Sequence, residues 1–119
     1  MLEVLREFGG ISFIFDLKEG EVFLSAIGDL GGGKKVEIVA NDRLTGEVVH
    51  YTFMEGEGDG FKKKKYGAEI ILSADSCEYA GHKLEELRSR GGFSTPEFVQ
   101  LSNLKSTGKV MDTFFVLRK

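Results

Sequence analysis

Cys77 and His82, with Asp75 close by, are the residue types of a thiol–imidazole nucleophile with an orienting acid. That chemistry needs the groups within hydrogen-bond reach of one another in a shared pocket, which closeness along a chain does not provide. A lone cysteine more often behaves as a small buried hydrophobe. His50 is far away in sequence, on the polar side of an alternating run. One cysteine also excludes an intrachain disulfide and a cysteine-based zinc site. No catalytic residue, metal site or cofactor is therefore expected, and an enzyme built on Cys77 and His82 has the weakest support of any function class.

Two glycine-rich stretches imitate ligand loops. "GDLGGGKK", residues 28–35, has the Gly-x-x-x-x-Gly-Lys spacing of a phosphate loop. Such a loop needs a helix directly after its Gly-Lys, because the helix N-terminus supplies N–H groups and dipole. Here the β-branched run "VEIVA" follows, and Lys35 stands where a Ser or Thr would hold Mg²⁺. The stretch reads as a flexible turn between strands. "EGEGDG", residues 55–60, resembles the start of a calcium loop, but the bidentate Glu required at position twelve is Tyr66. It reads as a solvated hairpin tip.

"FKKKKYG" sets Lys62, Lys63, Lys64 and Lys65 between Phe61 and Tyr66. Lysines beside aromatic rings can hold phosphates and stack bases. The Lys-Gly-aromatic order of an RNA-recognition motif is absent. Lysines also protect edge strands from aggregation, and this is the primary reading. Near the C-terminus, "GKVMDTFF" approaches a sliding-clamp-binding peptide through Met111, Phe114 and Phe115. The expected Gln, however, is Gly108, and the alternation suits a buried closing strand better.

The elements that must position these groups are mostly extended. The chain has 119 residues, enough for one domain over 1–119 with one core. Its 41% hydrophobic and 29% charged residues fit a folded chain, and a net charge of −3 gives no global pull on nucleic acid. Ile11, Phe13, Phe15 and Leu17 alternate, Lys18-Glu19-Gly20 reads as a turn, and "EVFLSAI" as the return strand. Val36, Ile38 and Ala40 align in the next strand. Val49, Tyr51 and Phe53 point inward in another, and Ala68, Ile70 and Leu72 in a third. "KVMDTFFVLRK" closes the chain with apolar residues on both faces.

From Tyr79 to Gly108 two periods compete. Ala80, Leu84 and Leu87 form a helical stripe, and Thr95-Pro96-Glu97 resembles a helix start with Gly108 as its end. "EFVQLSNL" instead alternates. Strands are expected through most of this segment, with at most one or two short helices between residues 79 and 108. No internal repeat is evident. The fold class is all-β or β-dominated.

Read together, several stretches resemble the eighth small subunit of archaeal and eukaryotic DNA-directed RNA polymerases. "DLGGGKKVEIVA" is similar to that family's Asp-Leu-Gly turn, basic residue and following strand. "YGAEIIL" resembles its Tyr-Gly strand entry. "SRGGF" resembles its Gly-Gly segment, with Arg90 where a Tyr commonly stands. "MDTFFVLRK" resembles its terminal strand. The order and spacing agree from Asp29 onward; the preceding part matches in pattern alone. The family's apolar run after the glycines is replaced here by Ser94-Thr95-Pro96, and a short acidic segment suggests an archaeal-type member.

The resemblance implies a small antiparallel β-barrel related to the OB-fold. It also implies a non-catalytic role, docking on the largest polymerase subunit and supporting assembly. Gly91, Gly92, Phe93 and Phe114 are the expected partner-interface residues, since paired glycines permit close backbone approach. A free-standing nucleic-acid-binding barrel using Phe61, Lys62–Lys65 and Tyr66 is the alternative. No apolar run approaches the length of a membrane span and no signal-peptide pattern opens the chain, so a cytoplasmic protein is expected.

Overall fold

The computed structural model describes every residue except 1, 8, 32, 105–108 and 119. Gly32 of the glycine run and Gly108, the candidate helix end, lie outside the described residues. The elements run β1 (Glu3–Glu7), β2 (Gly10–Phe15), α1 (Leu17–Gly28), β3 (Lys35–Asp42), β4 (Val48–Glu55), β5 (Gly60–Lys64), β6 (Gly67–Leu72), α2 (Ala74–Arg90), β7 (Glu97–Asn103) and β8 (Val110–Leu117).

The strands close into a barrel in the order β1-β2-β8-β7-β5-β6-β4-β3. The β-dominated fold expected from alternation is therefore present, and with it the small barrel that the resemblance implied. Its ladder is not antiparallel throughout. The pairs β1–β2, β3–β4, β5–β6 and β7–β8 are antiparallel. The pairs β1–β3, β2–β8, β4–β6 and β5–β7 are parallel. Parallel neighbours need crossover connections, and the two helices supply two of them: α1 carries the chain to β3 beside β1, and α2 to β7 beside β5. Eight strands in this order also depart from the five-stranded OB-fold.

Two further expectations are corrected. The hairpin expected across residues 11–27 is a strand followed by α1. Asp16 accepts from the Glu19 N–H at 2.8 Å, and the Glu19 carboxylate accepts from the Asp16 N–H at 3.0 Å. This reciprocal cap starts a helix where a turn was expected. Gly20, Phe23, Leu24 and Ile27 then bury one helical face. The second correction concerns residues 79–108. Helix α2 starts earlier, at the Ser73 cap, and runs 17 residues. Ala80, Leu84 and Leu87 are its buried stripe, so extended structure begins only at Glu97. Thr95-Pro96-Glu97 leads into a strand: the Phe115 N–H donates to the Pro96 carbonyl at 2.8 Å.

The register reveals an order that the residue types conceal. Val4 lies opposite Phe13 and Asp42, whereas Phe61 lies opposite Ile70 and Asn103. Phe13 pairs with Phe115, and Ile70 with Phe53. A half-turn of the barrel thus maps β1-β2-α1-β3-β4 onto β5-β6-α2-β7-β8. Asp42 corresponds to Asn103, Tyr51 to Thr113, Phe53 to Phe115, and Arg6 to Lys63. Most matched positions hold different residues, which is why no repeat is visible in the sequence.

The helices pack on each other and close the end of the barrel to which β2 and β6 run. Phe23 of α1 reaches Phe13, Phe53 and Phe115 on three different strands, at centroid distances of 5.2, 5.7 and 5.5 Å. Arg118 ties this end together, donating to Glu3 and Glu19, each at 2.6 Å. Among the described residues no helix is long and apolar enough to cross a membrane.

Candidate functional site

Among the described residues, the opposite end of the barrel is open. There β1 and β3 finish, β6 and β8 begin, and a cavity of about 860 Å³ enters between them. Its wall is partly apolar, from Ile11, Phe61, Ala68, Ile70 and Met111, and its rim carries Arg6, Lys63 and Lys109. Period-two geometry explains the set: Phe61 and Lys63 share one face of β5, and Ala68 and Ile70 one face of β6.

Two polar groups of this lining, Asp42 and Tyr51, are buried. Asp42 is buried, and its Oδ1 accepts from the N–H groups of Leu44 and Thr45 at 2.9 and 3.2 Å. Its Oδ2 accepts from Arg6 Nη2 at 3.4 Å. Burial by itself would raise the Asp42 pKa; the two backbone donors and Arg6 outweigh it and hold the carboxyl below its ordinary 3.8. A depressed folded-state value contributes stability above the unfolded value, and that stability is lost as pH falls through the folded one. Asp42→Asn is therefore expected to be destabilising at neutral pH and to flatten the fall in stability below about pH 4. Urea denaturation across pH 3–7 checks this; wild-type and variant curves running parallel into acid would refute it.

Tyr51 is the second group. Its side chain is buried in the barrel and lines the cavity, and its hydroxyl has no hydrogen-bond partner among the described residues. Burial pushes the phenol pKa up, Arg6 opposes this and Asp42 adds to it. The group therefore remains an O–H donor at neutral pH. An unmatched buried hydroxyl is costly and calls for a physical reason. The inward position of Tyr51 was legible in sequence, but its chemistry was not, because alternation alone marks it as core.

The structure separates the residues that sequence spacing grouped. Phe61 is buried and lines the cavity, so it is not a stacking ring on an outer patch. Lys63 faces the cavity rim, while Lys62 and Lys64 lie on the outer face, where Lys64 Nζ is 3.2 Å from Glu69 Oε1. Lys65 and the exposed Tyr66 form the turn that follows, with Lys65 Nζ 5.4 Å from the Tyr66 ring centre. The four lysines thus do not form one continuous surface.

Gly91 ends α2 in the left-handed conformation at φ 69°, a helix-stopping use of glycine. Gly92 has open space where a Cβ would stand. Phe93 packs on the core beside Phe15 and Phe115, with the buried Lys83 ammonium 5.3 Å from its ring centre. Phe114 is half-buried on the outer face of β8.

Cys77 is buried in α2, and burial, then Glu55 and Asp59, push its thiol pKa up, against thiolate formation. His82 projects from the same helix at 71% side-chain exposure, 3.7 Å from Glu78. The thiol thus faces the core and the imidazole faces solvent. The Gly-Lys of residues 28–35 joins helix α1 to strand β3, so no helix N-terminus follows it. Residues 56–59 are not a hairpin tip, because β4 and β5 each pair with β6 between them. Asp59 there accepts from the Ser73 N–H at 2.8 Å. Among the described residues no cluster of His, Cys, Asp and Glu could hold a metal ion. No protein-family model matches the chain, and no curated protein matches it.

Proposed function

We propose that this chain is a non-catalytic binding barrel that takes a small organic molecule into its open end. The observation that carries the reading is the buried, unpartnered Tyr51 hydroxyl at the wall of the 860 Å³ cavity. Ligand sites combine mostly apolar walls with a few placed polar groups, and this end of the barrel has that make-up. The two helices close the other end of the barrel.

The test is a titration of the full chain with anilinonaphthalene sulfonate, followed by fluorescence and by amide shifts. Saturable binding should perturb β1, β5 and β6 around Ala68. Ala68→Trp should fill the cavity and abolish the signal while circular dichroism and the melting temperature stay near wild type. No saturable binding, or binding indifferent to a folded Ala68→Trp protein, overturns the reading.

A second reading follows from the polymerase-subunit resemblance: docking on the largest subunit of RNA polymerase. One observation favours it. On the outer face of β2 and β8 the half-buried Phe114 and Val116, 37% exposed, lie over the buried Ile14. Recovery of the large polymerase subunits in a native pull-down supports this reading; recovery of the chain alone under gentle conditions removes it.

A further inference from the structure

We propose that the open-end cavity selects small organic anions, a carboxylate or phosphate head set against Lys63 with an apolar body lying inward toward Tyr51. This rests on the cavity being a ligand site and assigns the chemistry of what enters it.

The half-turn symmetry of the barrel carries the argument. Arg6 and Lys63 occupy corresponding positions at the rim, on β1 and β5. Their inward neighbours across the parallel pairs also correspond: Asp42 beside β1 and Asn103 beside β5. In the first half the cation meets a carboxylate, with Arg6 Nη2 3.4 Å from Asp42 Oδ2. In the second half the matching residue is an amide, which carries no charge to offset Lys63. No carboxylate pairs with Lys63 or with Lys109, its neighbour on the rim, among the described residues. Glu7 is the remaining acid of the lining, and it sits beside Arg6 on β1. The charge left over at the entrance is therefore positive and concentrated on one side, in a chain whose net charge is −3.

The rest of the wall states what the body of the ligand must be. Phe61, Ala68, Ile70 and Met111 extend inward from Lys63, so the region behind the head is apolar. Tyr51, the register partner of Ala68 on the adjacent β4, offers an O–H donor on the same side of the barrel, within the influence of Arg6 and Asp42. An anion with a short apolar body satisfies the rim and the wall together; a neutral alcohol satisfies the wall alone, and inorganic phosphate the rim alone.

Isothermal titration of the full chain with octanoate, octyl phosphate, 1-octanol and inorganic phosphate separates these cases. One of the two amphipathic anions should bind at least about tenfold more tightly than octanol, the scale of one hydrogen bond to a charged group. Which of them binds better identifies the head as carboxylate or phosphate. Lys63→Met should remove that preference, whereas Lys62→Met, the same charge change on the outer face of the strand, should keep it. Tyr51→Phe should leave the order of the three octyl compounds unchanged, since the head is held at Lys63 and the alkyl body gives the Tyr51 O–H no acceptor. Octanol binding as well as either anion overturns the anion selectivity while leaving a small-molecule site intact. Inorganic phosphate binding as well as octyl phosphate overturns it too, since the apolar body would then be unused. Binding of none of the four removes the ligand site itself.

Discussion

Gly67→Ala is expected to destabilise the chain by roughly 4 kcal/mol or more, at the upper end of single-substitution effects. Gly67 begins β6 with φ 156°, and a Cβ placed there would lie 1.7 Å from the His50 carbonyl oxygen and 2.6 Å from its carbon. Both atoms are backbone, so no side-chain rotation relieves the clash. The backbone cannot easily withdraw either. His50 is the register partner of Gly67 in the parallel β4–β6 pair, and its N–H donates to the Tyr66 carbonyl at 2.7 Å. Moving the strands apart breaks that bond and loosens the seam joining the two halves of the barrel. Gly58→Ala is the control: Gly58 has no positive φ and nothing within 4 Å of an added Cβ, so a change within about 0.5 kcal/mol is expected. Urea denaturation of the two variants decides it, and a Gly67→Ala protein as stable as Gly58→Ala would show that the seam yields freely.

The same seam shows where sequence reading succeeds and where it stops. Strands with a buried interior face declare themselves through alternation: Val49, Tyr51 and Phe53 face inward as expected, and so do Ala68, Ile70 and Leu72. Helix α1 reads instead as a turn and a strand, although its signals are present. Asp16 and Glu19 have capping-box spacing, and Gly20, Phe23, Leu24 and Ile27 have helical spacing. The β-branched and aromatic content of "EVFLSAI" favours a strand in so short a window, and the tertiary seat of Phe23 decides the contest. Partner identity was not legible. Nothing along the chain says that β4 lies parallel to β6, or that Asp42 and Asn103 answer one another across a half-turn. The cavity is a product of that pairing, so its lining is drawn from all eight strands and no local motif announces it. The motif-like runs erred for the converse reason: "FKKKK" is continuous in sequence, but strand period two sends its side chains to opposite faces.

Phe115→Ala should cost roughly 3–5 kcal/mol, the usual range for truncating a buried Phe where neighbours cannot collapse inward. Phe115 is on the inner face of β8, and its ring lies 4.4 Å from Phe98, 5.5 Å from Phe23, 6.0 Å from Phe15 and 6.3 Å from Phe93, centroid to centroid. These neighbours come from β7, α1, β2 and the segment after α2, so one ring joins the barrel wall to its helical floor. Each is held by its own element, which limits relaxation into the void. Phe114, the next residue, points outward and is half-buried, and its truncation should cost only about 1 kcal/mol. The pair tests the architecture at fixed chemistry: same residue type, same strand, opposite faces. Binding supplies a second readout, since Phe115 sits toward the floor and lines no part of the open end. A folded Phe115→Ala protein should therefore keep its cavity ligand while melting earlier, and Phe114→Ala should alter assembly with polymerase subunits if that docking occurs. Equal small losses in the two variants would mean that β8 does not close the barrel and that the helices do not form its floor.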